Sequence, residues 1–558
     1  MRDMKRFLCL AFVLTMSLGT FAQPGRMPQQ VILTARANSP IMYGGPTRAE
    51  GRSYNFTPVF FIYPDAKLDE AGAAKLLQEL DIQPLLDSEY GTAMVVNPVG
   101  DKYAADADFE AFVNLFNANR GPGNLKVVGI GQGATFVNQV IAPKAAGQIA
   151  GILSIGGKPG KSVDPAGVPA YIAGPGKAAM KAAKPYQEAN AGHPDEPLLK
   201  VSVHAAPGSL KEVFADAWKA VLGCNYRYNN YRHTHYEGAK FGEYGSYELE
   251  PYLDCESLGI TRIIVEQPMG QRTPQGQEVP KQLWYEYWPK ELLEGAPAQS
   301  VPVMVLLHGN QNDPRTQAET SGFIQLAGEK RFFVVEMEWQ GTPNYQAMGH
   351  DGIETVLYQL FAKYPQLDPS RVYAEGLSAG SITATALGIK KSHLFTAVGG
   401  HSGGIFGGPF KGYTSAGILW AEATQKRGAV EVPYCSVFGT ADNVVPYIKP
   451  DNWKGNNYLN AWNAYEQMNG MEVVDQIDFS LDKVFGQLLR DRETIVTNKG
   501  DGITIETGVL YKGDMPMIKM VAVMDYGHWN FMPTARIMWD FFSHYRRDPE
   551  TKKLIYIP

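Results

Sequence analysis

Four cysteines in 558 residues are too few for a disulfide-built scaffold, so the chain has to hold itself together by burying apolar surface. Past the first two dozen residues no stretch is long and apolar enough to cross a bilayer, which takes about 20 consecutive apolar residues. Excess charge of one sign is also missing. The net charge of −6 is mild for this length and argues against nucleic acid or an anionic membrane as partner. Metal-ligand spacing is absent as well: His233 and His235 stand close together in an irregular segment without convincing further ligands. No metal and no organic cofactor are expected.

The length exceeds one ordinary core, and two domains are expected. The start of the chain carries Arg2, Lys5 and Arg6, then a short apolar run from Phe7 to about Leu18, then the small-x-small site Thr20-Phe21-Ala22. This order predicts a removable signal segment over residues 1–22 and a secreted or periplasmic mature protein. Cys9 would leave with it, and Cys435 lies in an apolar strand where a buried thiol is ordinary. Cys224 and Cys255 flank a Tyr-rich stretch and form a disulfide candidate for an exported protein.

Val372-Tyr373-Ala374-Glu375-Gly376-Leu377-Ser378-Ala379-Gly380 is the richest stretch. A short apolar run ends in G-x-S-x-G and a helix-forming segment follows, the context of a nucleophile elbow. A matching stretch occurs earlier: Val127-Val128-Gly129-Ile130-Gly131-Gln132-Gly133, with Gly131 where Ser378 stands. Three further pairs keep the same order. Pro58–Pro64 pairs with Pro302–His308, Gly156-Gly157 with Gly403-Gly404, and Val168–Gly174 with Val432–Phe438. Both halves alternate short apolar runs, suited to strands buried on two faces, with amphipathic segments such as Gly352–Lys363. The expected fold class is therefore α/β, with two tandem α/β-hydrolase-like doubly wound sheets, the second with a complete catalytic site. The expected divisions are residues 23–222 for a degenerate first domain, 223–258 for a Tyr-rich irregular connector, and 259–558 for the catalytic domain. Antiparallel strands from Ile260 to Tyr287 would open that second domain. The tyrosines of this region are candidates for stacking on sugar rings or for packing.

A serine hydroxyl needs a base, and the base needs an orienting acid. On this fold they follow in the order Ser, Asp or Glu, His. Asp442 stands just after the apolar run Val432–Phe438, and His528 just after the run Met520–Met524. The expected triad is Ser378, Asp442 and His528, with Asp525 a rival acid. Oxyanion donors are expected from the backbone amides of Ala379 and Asn310, the latter in the loop His308-Gly309-Asn310-Gln311. His308, Gln311, Trp339 and Trp529 are candidates for contact with substrate.

Leu307-His308-Gly309-Asn310, the elbow around Ser378, Gly439–Tyr447 with Asp442, and Gly527-His528-Trp529 together resemble the polyhydroxybutyrate depolymerase-like esterases, a group related to feruloyl and acetyl-xylan esterases. The resemblance covers about Ile260 to Tyr545. It implies a secreted serine esterase, without cofactor, acting on a small-molecule or polysaccharide-linked ester: acetyl or feruloyl esters of plant polysaccharides, or short hydroxyalkanoate esters. Three positions depart from the family pattern: Phe438 where His is usual, Ser381 where Gly is frequent, and Trp529-Asn530-Phe531 where a Pro-Gly-containing stretch is usual. Two other readings stay open at this point, a serine peptidase of prolyl-oligopeptidase type and a non-catalytic carbohydrate-binding or scaffold protein.

Overall fold

A computed structural model describes residues 31–36 and 57–558, except 90, 120, 206–207, 229–239, 243–247, 273, 311–313, 342–344, 407–415, 426–429 and 498–501. The expected signal segment, His233, His235 and Gln311 lie outside the described residues. The chain divides into two compact units, one of Tyr252–Pro558 and one holding the described residues before Tyr252.

The first unit carries strands β1 (Val31–Arg36), β2 (Val59–Tyr63), β3 (Thr92–Val96), β4 (Leu125–Ile130), β5 (Gly151–Ile155), β6 (Ala170–Ala173) and β7 (Val201–His204). They form one sheet in the order β1-β3-β2-β4-β5-β6-β7. Only the β1–β3 pairing is antiparallel. The central strands are buried along their length, which is why they read as unbroken apolar runs rather than alternating ones.

Two more strands, β8 (Asn225–Tyr228) and β9 (Glu248–Pro251), pair antiparallel and belong to the first unit. The segment from 223 onward is thus less irregular than expected, and the division falls at Pro251/Tyr252 rather than at 222 and 259. Buried polar side chains hold β8 to the sheet. Lys126 Nζ donates to Asn225 O at 2.7 Å and to Ala150 O at 3.3 Å. Arg227 donates from Nε to Ile149 O and from Nη2 to Gly167 O. Burial pulls the Lys126 ammonium well below its ordinary range, because no carboxylate is bonded to it to offset desolvation. The disulfide expected between Cys224 and Cys255 is not formed. The two residues fall in different units, and the Cys224 thiol instead donates to Lys219 O at 3.6 Å.

The second unit contains β10 (Ile260–Gln267), β11 (Gln282–Pro289), β12 (Val301–Leu307), β13 (Phe333–Met337), β14 (Leu367–Gly376), β15 (Ala397–His401), β16 (Tyr434–Gly439), β17 (Arg490–Val496), β18 (Thr504–Lys512) and β19 (Met515–Val523). Its sheet runs β10-β11-β13-β12-β14-β15-β16-β19-β18-β17. β11 joins β13 antiparallel, and the core from β13 to β19 is parallel. From β11 to β19 this is the same crossover order as in the first sheet. Three of the four sequence pairs that match between halves fall on β2 and β12, β4 and β14, and β6 and β16, and the Gly-Gly pair falls just past β5 and β15. Tyr285 and Tyr287 of β11 are buried and stack on each other at 6.4 Å, so these two tyrosines pack the core and offer no sugar platform. Among the described residues no helix is long and apolar enough to cross a membrane.

Candidate active site

In a parallel sheet with a reversal of strand order, the open crevice lies at the carboxyl ends of the strands. Ser378 sits there, two residues after β14, with φ 54° and ψ −115°. This backbone is strained for any residue with a Cβ. It is fixed by hydrogen bonds from Leu377 N to Leu307 O at 3.1 Å and from Ser378 N to His401 O at 2.8 Å. The flanking glycines are sterically required. A Cβ on Gly376 would lie 2.7 Å from Leu307 O, and one on Gly380 would overlap that same oxygen. The helix Ala379–Lys390 starts directly after the serine, so the Ala379 amide belongs to its first turn, where backbone N–H groups have no intrahelical acceptor.

Asp442 follows β16 and His528 follows β19, and these two strands are neighbours in the sheet. His528 Nδ1 and Asp442 Oδ2 are 2.7 Å apart and both side chains are buried. The other carboxylate oxygen of Asp442 accepts from Val444 N at 2.8 Å and Val445 N at 2.9 Å. Three hydrogen bonds therefore fix its orientation. Asp525, the rival acid, has positive φ (54°) and its amide donates to Thr440 Oγ1. It serves the turn before the histidine, whose Nδ1 is bonded to Asp442 instead. A second histidine, His401, lies close enough to feel the charges of Asp442 and His528. Burial holds its pKa down to about 3, so it stays neutral.

The remaining candidates gather around the loop after β12. His308 is buried, its Nδ1 2.8 Å from Gly309 O and its Nε2 3.3 Å from Glu338 Oε1. Trp339 is buried, and its indole N–H donates to His308 O at 3.0 Å. Gln340 Nε2 donates to Asn310 Oδ1 at 2.5 Å. Glu338 also accepts from Gln340 N and Gly341 N. His308 and Trp339 thus shape the loop carrying Gly309 and Asn310. Trp529 is buried beside the histidine. Glu338 and Gln340 were not singled out in the sequence, and an ordinary post-strand Glu-Trp-Gln gives no signal for them.

The departures from the family pattern have packing reasons. Phe438 is buried in an aromatic cluster with Tyr447, Tyr458, Trp462 and Phe485. Ser381 is accommodated by Gly400 and Gly403, where a Cβ would overlap its hydroxyl. Asn530 is bonded to Gln317 and Thr320. Among the described residues no cluster of His, Cys, Asp or Glu is placed to hold a metal.

The first unit repeats the elbow without the serine. Gly131 has φ 56° and ψ −112°, within a few degrees of Ser378. Gly129 and Gly133 stand where Gly376 and Gly380 do, and a Cβ on Gly133 would overlap Tyr63 O. The place of the missing hydroxyl is taken by Asp65. A Cβ on Gly131 would overlap Asp65 Oδ1, and that oxygen accepts from Gln132 N at 2.7 Å. Gly174 follows β6, where the acid of the other unit follows β16, and His204 ends β7 stacked on Tyr171.

The fold and site of the second unit define an α/β-hydrolase, and the chain is a carboxylic ester hydrolase resembling the polyhydroxybutyrate depolymerase-like esterases. Residues 287–428 match the family described as "Esterase PHB depolymerase". No curated protein matches the chain by sequence. Similar solved structures include an acetyl xylan esterase from Aspergillus awamori, at 14% identity and TM-score 0.34, covering 50% of this chain and 99% of that one. An S-formylglutathione hydrolase from Agrobacterium tumefaciens matches at 10% identity and TM-score 0.34, covering 51% and 95%. A ferulic acid esterase matches at 15% identity and TM-score 0.28, covering 38% and 87%.

Proposed function

We propose that the second unit is a serine esterase working through an acyl-enzyme, with Ser378 as nucleophile, His528 as base and Asp442 as orienting acid. The observation that carries this reading is the buried 2.7 Å Asp442–His528 hydrogen bond at neighbouring strand ends, in the same sheet whose β14 ends in a strained serine elbow. His528 takes the Ser378 proton as the hydroxyl oxygen attacks the ester carbonyl carbon. The tetrahedral oxyanion is received by the amides of Ala379 and Asn310, each such donor being worth about 3 kcal/mol of barrier. Collapse expels the alcohol, protonated by His528. Water, deprotonated by the same histidine, then attacks the acyl-enzyme and releases the acid.

The substrate class is an acetyl or feruloyl ester of a polysaccharide or a short hydroxyalkanoate ester. The basic-then-apolar start supports export to the periplasm or beyond. The matching strand order and the copied elbow support a duplication whose first copy lost its chemistry and keeps a structural role. Ser378→Ala tests the enzyme reading: hydrolysis of p-nitrophenyl acetate should fall by about four orders of magnitude or more with thermal unfolding unchanged, and near-normal turnover would overturn it. Cleavage of aminoacyl-proline amides without action on acetylated or feruloylated oligosaccharides would turn the assignment to a peptidase.

A further inference from the structure

An acyl-transfer site needs three pieces of chain in register: the nucleophile elbow, the oxyanion loop and the histidine loop. In this protein a buried side-chain network joins all three. Glu375 is three residues before Ser378. Gln317 lies on the helix Pro314–Thr320, the first element after the loop of His308 and Asn310. Asn530 is two residues after His528. Gln317 Nε2 donates to Glu375 Oε2 at 2.7 Å and to Asn530 Oδ1 at 3.3 Å. Asn530 Nδ2 returns a bond to Gln317 Oε1 at 2.8 Å and donates to Thr320 Oγ1 at 3.0 Å. Tyr526, on the other side of the histidine, donates its hydroxyl to Asn530 O at 2.5 Å. Gln317, Glu375 and Asn530 are all buried.

The two amides form a reciprocal pair with all four N–H groups used. A pair of this kind in a low-dielectric interior is directional, and breaking one half strands the other. Asn530 stands inside the stretch that departs from the family pattern, and its bonds to Gln317 hold the loop behind the base.

We propose that Gln317 and Asn530 are positioning residues, an amide clamp that sets the His528 loop against the serine elbow and the oxyanion loop. The proposal rests on the triad reading above. Gln317 touches no reacting atom. It acts through Asn530 on the histidine side and through Glu375 on the serine side, so its loss should show in the chemical step more than in substrate capture.

The test uses the full chain and p-nitrophenyl acetate, with Gln317→Met and Asn530→Leu as similar-sized variants that cannot make the pair. Each should lower kcat about 30-fold or more, on the scale of a misplacement of about 1 Å, with KM within about twofold, and slow fluorophosphonate labelling of Ser378 in parallel. Gln317→Glu serves as the conservative variant. Its carboxyl still accepts from Asn530 and, once protonated, again donates. It should therefore recover much of the lost kcat relative to wild type at the acid end of the pH range and lose it as pH rises, whereas Gln317→Met recovers at no pH. This pH-dependent rescue also decides the matter if Gln317→Met does not fold. Wild-type kcat and labelling rate in the folded variants, or a Gln317→Glu profile parallel to wild type, would overturn the clamp. Ser378→Ala separates the two readings: if it is dead while the clamp variants are fully active, only the clamp fails, and if it remains active, the triad itself fails.

Discussion

At the scale of single residues, Ser378 shows strain kept for chemistry. Its φ of 54° costs a residue with a Cβ about 1 kcal/mol or more, and Gly131 holds the same backbone without that cost. Ser378→Gly should accordingly abolish hydrolysis while raising the thermal midpoint, and calorimetry with an activity assay on one sample checks both. Glu375 is the second residue with a stored cost. Burial pushes its carboxyl up to about 8, against a smaller opposing effect of the Gln317 bond. In the unfolded chain the group ionises near 4.5, so between that value and about 8 the folded state binds more protons and stability falls as pH rises. Glu375→Gln removes this slope. Its thermal midpoint should equal that of wild type near pH 4 and exceed it near pH 9, and a constant difference across that range would contradict the assignment. That Ser378, Asp442 and His528 each stand just past a strand was legible in the sequence, because each follows an apolar run. The pairing of Gln317 with Asn530 was not, since their bond joins positions 213 residues apart and a lone amide carries no local pattern.

At the scale of elements, two elbows share one steric rule. Gly380 can carry no side chain because Leu307 O occupies the space, and Gly133 stands in the same relation to Tyr63 O. Gly380→Ala should destabilise the second unit by ~3 kcal/mol, the upper end of overpacking costs, and denaturant unfolding with tryptophan fluorescence measures it. Gly131→Ser meets both a positive φ and the Asp65 carboxylate. It should lower the stability of the first unit, add no hydrolytic activity, and be partly relieved by Asp65→Gly. A gain of turnover in Gly131→Ser on a Ser378→Ala background would contradict the inert reading of that elbow. The matching apolar blocks marked the paired strands correctly because parallel strands buried on both faces leave a strong signal. The exposed strand β17 left none: Arg490-Asp491-Arg492-Glu493 reads as surface loop, and only pairing with β18 makes it a strand. Charges along such an edge also discourage pairing with other chains.

At the scale of the whole molecule, the chain holds two sheets of like strand order, and the proposed triad falls in the second. The sequence signalled two units by length and by the copied blocks. The boundary came out differently because it depends on Lys126 and Arg227, whose buried side chains carry β8 into the first unit. A polar, Tyr-rich stretch gives no local sign of such long-range bonds.

The central claim, one working serine in a chain with two elbows, is tested most directly by labelling the full-length protein with a fluorophosphonate and mapping the adduct by peptide mass spectrometry. The account predicts a single stoichiometric adduct on Ser378, lost together with ester hydrolysis in Ser378→Ala. An adduct on any residue before Tyr252, or ester hydrolysis that continues with Ser378 unmodified, would contradict it.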